Sequence, residues 1–393
     1  MGLPSRLSFH ARHRDGPHCR NDRGQAAPEQ RGIRGGPLAG LILAACCADP
    51  VSAETLRVAT FNVELTRKGP GLLLRDILTG TDAQVEAAAG VIAAAAPDVL
   101  LLTGFDYDLD LVALNAFAGR IAEAGGRYPH LFALRPNTGW ATGIDLDGDG
   151  RTGGPGDAQG FGGFAGEGGM AVLSRLPLGP AQDYSGFLWR DLPDGLIDGA
   201  GLSAEAASVQ RLSSTGHWAV PVDLPGGGTL TLLAWHGSPP VFDGPEDRNG
   251  RRNHDEAAFW SRLLDGALPF APPVGPLVLL GDANLDPVDG DGRPEALEAL
   301  LAGPRFQDPH PASEGAVASD GANAAQKGDA ALDTADWPDD PGPGNLRVDY
   351  VLPSAGLRVT AAGVWWPEPG SEAAALAGTA SRHRLVWVDL DLP

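Results

Sequence analysis

Cysteine is nearly missing from this chain: three in 393 residues, at Cys19, Cys46 and Cys47. All three precede residue 54, so a chain starting near Glu54 holds none and owes nothing to disulfides; its stability has to come from core size or bound ions. Lysine is scarcer still, with only Lys68 and Lys327. After the first 53 residues, 22 basic residues face 46 acidic ones, a balance of −24. That surface lacks the basic track a long nucleic-acid duplex requires, and it disfavours anionic membranes. Beyond the leader no apolar run is long enough to span a bilayer. Apolar content of 43% nonetheless supports a real core.

Residues 1–35, rich in Arg, Gly and His, read as a disordered or mis-started leader. Residues 36–53, PLAGLILAACCADPVSA after Gly36, have a basic flank, a short apolar core and a small-residue end at Val51–Ala53, the layout of a signal peptide. The expectation is a secreted or periplasmic protein; LAAC, ending at Cys46, also fits a lipid-anchoring box. The remainder, 54–393, reads as one domain.

From Glu54 the pattern alternates. LRVATFNVE is a strand, DAQVEAAAGVIAAAA a helix capped by Asp82 and stopped by Pro97, and DVLLL a buried strand. VLLLTGFDYDLD runs from that strand into Asp106, Asp108 and Asp110, of which the last two suit the first turn of the next helix. Residues 137–169 and 177–212 read as long loops around the strand MAVLSR. HWAVPVDL and TLTLLAWH read as strands joined by the Gly226–Gly228 turn, followed by a helix at 254–265 and the strand PLVLLGD. Residues 303–345 read as loop, and RVDYVLP, RVTAAGVWW and RLVWVDLDL as closing strands. This order predicts one mixed α/β domain with long loops on one rim.

Polar residues recur at the strand ends, where loops of a layered α/β fold converge. They are Asn62 and Glu64 in ATFNVE, His236 in LLAWH, Asp282 and Asn284 in VLLGDANLD, Asp349 in LRVDYVLP, and His383 in SRHRLVWVDL. Each alone fits a turn or a structural histidine; their order is what carries weight.

With FNVE, PDVLLL, GMAVLSR, LLAWH, LLGDAN, RVDYVL and SRHRLVWVDL in sequence, residues 56–392 resemble the endonuclease/exonuclease/phosphatase superfamily of deoxyribonuclease-like phosphoesterases. The resemblance implies a deoxyribonuclease I-like fold, a four-layer sandwich of two packed mixed β-sheets flanked by helices. It also implies metal-dependent hydrolysis of a phosphodiester or phosphomonoester, assisted by Mg²⁺ or Mn²⁺, with Ca²⁺ as the alternative. By similarity, Asp282 orients or activates water, and Asn62 and Asn284 help place metal and phosphate. His383, backed by Asp349, and His236 hold phosphoryl oxygens and move protons.

Two positions depart from the family. A metal-binding Glu is usual just after the LLL strand, and here Gly104 stands there. An Asp is usual before the last histidine, and here Arg382 stands there, a phosphate-friendly charge in place of a metal-friendly one. Asp106 and Glu64 are the carboxylates positioned to substitute as ligands.

Three further readings come from the residues alone. Asp145, Asp147 and Asp149 alternate as in the first half of a Ca²⁺ loop but lack the distal bidentate Glu. Arg251, Arg252 and His254 form a cationic group after His236 that suits a phosphate-binding rim. Net charge favours a small phosphate ester over a long duplex. The rival reading is a catalytically impaired member that binds calcium or a phosphorylated ligand without turnover.

Overall fold

The computed structural model describes residues 55–319 and 326–392; the leader segments 1–35 and 36–53 lie outside them. One sheet has six strands in the order β12-β13-β1-β2-β4-β3. They are β1 (Thr55–Leu65), β2 (Val99–Phe105), β3 (His130–Phe132), β4 (Gly169–Ser174), β12 (Arg358–Trp365) and β13 (Leu385–Asp391). The other runs β11-β8-β7-β6-β5. It comprises β5 (Gln182–Asp183), β6 (Gly216–Asp223), β7 (Thr229–His236), β8 (Leu277–Asp282) and β11 (Asp349–Pro353). A separate hairpin pairs β9 (Ala335–Asp336) with β10 (Asn345–Leu346). Both large sheets mix parallel and antiparallel pairs, as β1‖β2 and β7‖β8 show.

Period-two alternation sorts the strands' side chains into layers. Leu56 and Val58 of β1, Val99 and Leu101 of β2 and Val386 and Val388 of β13 meet Leu230 and Leu232 of β7, Val278 and Leu280 of β8 and Val351 of β11 in the seam between the sheets. The opposite face of the first sheet, Phe61, Val63, Leu100 and Leu102, packs on α1 (Leu72–Thr79), α2 (Ala83–Ala95), α3 (Val112–Glu123) and Ala380 of α8 (Glu372–Ala380). The outer face of the second sheet, Leu233, Trp235, Leu279 and Leu352, packs on α5 (Arg248–Leu264) and α6 (Glu295–Ala302). Short helices α4 (Ala204–Val209) and α7 (Glu314–Ser319) lie in the long loops. The result is the expected helix–sheet–sheet–helix sandwich.

Local chemistry explains the expected elements and those the pattern hid. The Asp82 carboxylate accepts the Val85 amide at 2.9 Å and so starts α2. Asp108 accepts the amides of Val112 and Ala113 at 2.7 and 2.8 Å, so it caps α3 from outside rather than sitting in its first turn. Helix α5 begins at Arg248, six residues before the expected start, because its polar first turns disguise a face that becomes apolar only at Phe259, Trp260 and Leu263. Helices α1, α6 and α8 are too short to show a clear 3.6-residue period.

Candidate active site

The same alternation that builds the seam delivers four polar side chains to its end. Asn62 continues the Leu56–Val58 face, Asp282 the Val278–Leu280 face, His236 the Leu232–Ala234 face, and Asp349 precedes Val351. His236, Asp282 and Asp349 are direct register partners across β7, β8 and β11, a row of three on one sheet. Asn62 reaches that row from the other sheet, its Nδ2 donating to Asp282 Oδ2 at 2.8 Å. His236 Nε2 lies 3.4 Å from the same oxygen, and the Asn284 amide donates to Oδ1 at 2.7 Å. Asn284 itself, in the left-handed region at φ 50°, donates its side-chain amide to Gly237 O at 2.9 Å.

His383 closes the group. Its Nδ1 stands 2.9 Å from Asp349 Oδ2 and 3.9 Å from Asp282 Oδ2. Burial alone would lower its pKa, but Asp349 and Asp282 outweigh that and raise it to about 9, which favours the charged ring. Asp349, raised to about 6 by burial and by the neighbouring Asp282, is the softer carboxylate. Asp282 goes the other way: burial would raise it, yet His383, His236 and Asn62 hold it below the usual carboxylate range. His383 Nε2 lies 3.5 Å from Asn62 Nδ2. A neutral ring, protonated on the Nδ1 that faces Asp349, accepts from that amide, whereas a charged ring turns its Nε2–H toward solvent or substrate. Among the described residues Asp349 Oδ1 is buried without a hydrogen-bond partner.

The match to the family described as Endonuclease/Exonuclease/phosphatase runs over residues 59–383, from β1 through His383. The chain belongs to that family. Its members are typically hydrolases of phosphoester bonds and typically depend on a divalent cation. No curated protein matches the chain significantly. Among solved structures, an endonuclease/exonuclease/phosphatase protein from Beutenbergia cavernae is 22% identical, with TM-score 0.51, over 86% of this chain and 72% of that one. Sphingomyelinase C from Streptomyces griseocarneus is 17% identical at TM-score 0.44, covering 86% of this chain and 99% of that one. A mannosyl-6-phosphatase from Bacteroides thetaiotaomicron is 12% identical at 0.46, covering 86% and 100%. At 22% identity the first of these likenesses speaks to the fold alone.

Within the family frame, the remaining expected residues have the following places. Asp282, Asp349 and His383 each offer an atom within 4.8 Å of the others, a group that could hold a metal ion. Glu64 is committed elsewhere: its carboxylate takes the Arg382 fork and, at 2.8 Å, the Arg382 amide, while Ser381 Oγ lies 3.1 Å away. Burial would raise its pKa, but Arg382 holds it low and ionised. Asp106 clasps two loops, accepting Arg67 N at 2.9 Å and Gly168 N at 3.0 Å, and burial raises it to about 6; no hydrogen bond joins it to the Asp282 group. Gly104 sits at φ +65° in a bulge shared by β1 and β2, and a Cβ there would lie 2.4 Å from Asn62 Oδ1. Any side chain at 104 therefore begins against Asn62.

The α5 cations are turned to framework partners. Arg252 donates to four carbonyl oxygens, those of Gln159, Arg211, Leu212 and Ser213, at 2.5–3.1 Å. Arg251 donates to Glu246 O at 3.0 Å, and His254 Nδ1 lies 2.9 Å from Asp255 Oδ1. None of these bonds reaches the Asp282 group. Asp145, Asp147 and Asp149 do converge on one another, while accepting amides of Gly148, Gly150, Asp149 and Arg151.

Two contributors escaped the motif reading. Thr334, wholly buried in the segment read as loop, donates to Asp349 Oδ2 at 3.0 Å while accepting the amides of Val348 and Asp349. Ser381 ties the two halves of the site, donating to Asn62 O at 2.8 Å and accepting the His383 amide at 3.1 Å. Its place two residues before His383 was the available signal; Thr334 had none.

Proposed function

We propose that the chain is an exported hydrolase of a phosphate ester, with Asp282, His236, His383 and Asp349 as its acid–base residues. The observation that carries the reading is the placement of His383, its Nδ1 held 2.9 Å from Asp349 Oδ2 and its Nε2 beside Asn62, next to Asp282. A charged histidine so placed binds and neutralises a phosphoryl oxygen. Water adds to phosphorus and the bond to the leaving oxygen breaks. Asp282, held ionised, accepts a proton from the attacking water, and a histidine of the His236–His383 pair returns one to the leaving oxygen. Asp349 keeps His383 oriented and charged, and Thr334 keeps Asp349 in place.

The donor set suits a hard divalent cation, Mg²⁺ or Mn²⁺. Asp282 and Asn284 would supply oxygens, and Asp349 Oδ1, without a hydrogen-bond partner among the described residues, is a buried acceptor in need of one; Asn62, its Nδ2 on Asp282 and its Oδ1 on Glu64 N, would hold Asp282 rather than the ion. Bound there, the ion supplies charge neutralisation at the phosphate. Arg382, whose side chain is 57% exposed, adds a second cation at the rim.

A second reading has its own support. Glu64 is tied to Arg382, and Gly104 offers no ligand, so a member that binds a phosphorylated ligand or calcium without turnover is consistent with the same geometry. Hydrolysis of a generic phosphodiester and a phosphomonoester, with Mg²⁺, Mn²⁺, Ca²⁺ or chelator, separates the two. Metal-dependent turnover that His383→Ala reduces at least about a thousandfold supports the enzyme. Turnover absent under every ion hands the site to the binding reading.

A further inference from the structure

A cleft of about 390 Å³ opens between the β9–β10 hairpin and the residues that lead into β13; Ser381, Arg382 and Arg384 line it, and His383, which does not, adjoins it through Trp337. Its volume lies in the range of small-molecule sites rather than of duplex grooves. Trp337 and Pro338 form one wall, Arg382 the other, and Asp336, Asp339 and Asn345 line it too.

The hairpin is fastened where it matters. Asp336 N donates to Arg382 O at 2.9 Å, Arg384 N donates to Thr334 O at 2.7 Å, and the Arg384 guanidinium holds Asp336 Oδ2 at 2.9 Å. Trp337 packs with Ala335, Leu346 and Val348, and its ring meets the His383 ring edge-to-face, centroids 5.1 Å apart at 82°. Trp337 thus touches the His383 ring and also lines the cleft. Across from it, Arg382 spends Nε and Nη2 on Glu64, and its Nη1 has no hydrogen-bond partner among the described residues.

We propose that this cleft receives the organic part of the substrate, and that the substrate is a phosphate ester bearing a single flat ring. The inference rests on the phosphoesterase reading of the site. The phosphate lies against His383 with the Arg382 Nη1 in reach, and the ring stacks on Trp337, the arrangement an aromatic wall beside a cation provides. The acids complete the selection. Asp336 is neutralised by Arg384, but Asp339 and the neighbouring Asp340 stand exposed on the hairpin, where a second phosphate of a polynucleotide strand would meet repulsion. The pocket therefore favours one phosphate with one ring over a continuous strand.

The test has a turnover arm and a binding arm. In the first, the protein and its Trp337→Ala and Trp337→Phe variants are assayed on 4-nitrophenyl phosphate and its methyl diester, each with one ring, and on a duplex oligonucleotide. Trp337→Ala is expected to raise KM for the aryl esters roughly tenfold with kcat changed less than threefold, near the upper limit of one aromatic contact. Trp337→Phe retains most of the affinity, and the duplex is the poorer substrate for the parent by about a hundredfold or more. In the second arm, calorimetry compares phenyl phosphate with inorganic phosphate. The parent binds phenyl phosphate about tenfold tighter, and Trp337→Ala removes that preference while leaving inorganic phosphate binding intact. Ring preference without turnover would keep the cleft assignment and sink the hydrolase reading. Turnover with no ring preference, or with the duplex favoured, would overturn the cleft assignment alone.

Discussion

Restoring the family's carboxylate at position 104 should harm this protein rather than help it. Gly104 has φ +65°, where any side chain costs about 1 kcal/mol of backbone strain. A Cβ would also lie 2.4 Å from Asn62 Oδ1 and 3.2 Å from Glu64 N, so Asn62 has to move. Moving it breaks the bond from Glu64 N to Asn62 Oδ1, 3.2 Å long, and disturbs the 2.8 Å bond to Asp282. At about 1 kcal/mol for each hydrogen bond, Gly104→Ala should cost about 2–3 kcal/mol in all. Unfolding entropy of about 2.1 cal/mol/K per residue across the unit Ser52–Pro393 converts this to a Tm loss of roughly 3–4 °C. Urea titration gives the free energy, and phosphodiester hydrolysis the functional loss. Gly104→Glu should be no more active than the parent. A cycle with Asn62→Ala isolates the collision: in that background the same substitution should cost only the backbone part, about 1 kcal/mol. A neutral Gly104→Ala, or a Gly104→Glu variant that gains metal-dependent turnover at unchanged stability, would refute the reasoning.

Arg252→Lys replaces a planar fork with a point charge that cannot serve four carbonyls, so a loss of about 2–4 kcal/mol is expected in urea unfolding. Thr334→Val keeps the volume but frees Asp349, and steady-state kinetics should show kcat falling about tenfold with KM little changed. Two histidines should give stability opposite limbs with pH. Burial against Trp235, Phe259 and Trp260 lowers His217 from 6.5 to about 4, so its contribution is complete above pH 6.5 and shrinks as pH falls toward 4, by about 3 kcal/mol over that span. His383, raised from 6.5 to about 9, contributes fully below pH 6.5 and loses its contribution as pH rises through 9. Denaturation midpoints from pH 4 to pH 9.5 check both, and His217→Phe should flatten only the acid limb.

What was legible in the sequence was what alternation carries. Asn62, His236, Asp282 and Asp349 each extend an apolar face of a strand, so strand phase alone places them together at the seam. Thr334 was invisible because it acts from irregular backbone, in a stretch of Ala, Asp, Gly and Pro with no period to read. The Glu64–Arg382 pair joins residues 318 positions apart and needed the fold to appear. Arg252 illustrates the converse error of inference: an arginine beside other arginines looks like a solvated rim, and composition does not reveal carbonyls waiting behind it.

That same arginine bears on how this surface could change over generations. Arg252 grips Gln159, Arg211, Leu212 and Ser213 by their carbonyl oxygens alone, which every amino acid possesses. The backbone of those two long loops thereby keeps one anchor that does not depend on which residues occupy the four positions, beside the bonds that the Gln159 and Arg211 side chains make for themselves. A substitution at Ser213 leaves that anchor in place, whereas one at Arg252 removes all four bonds at once.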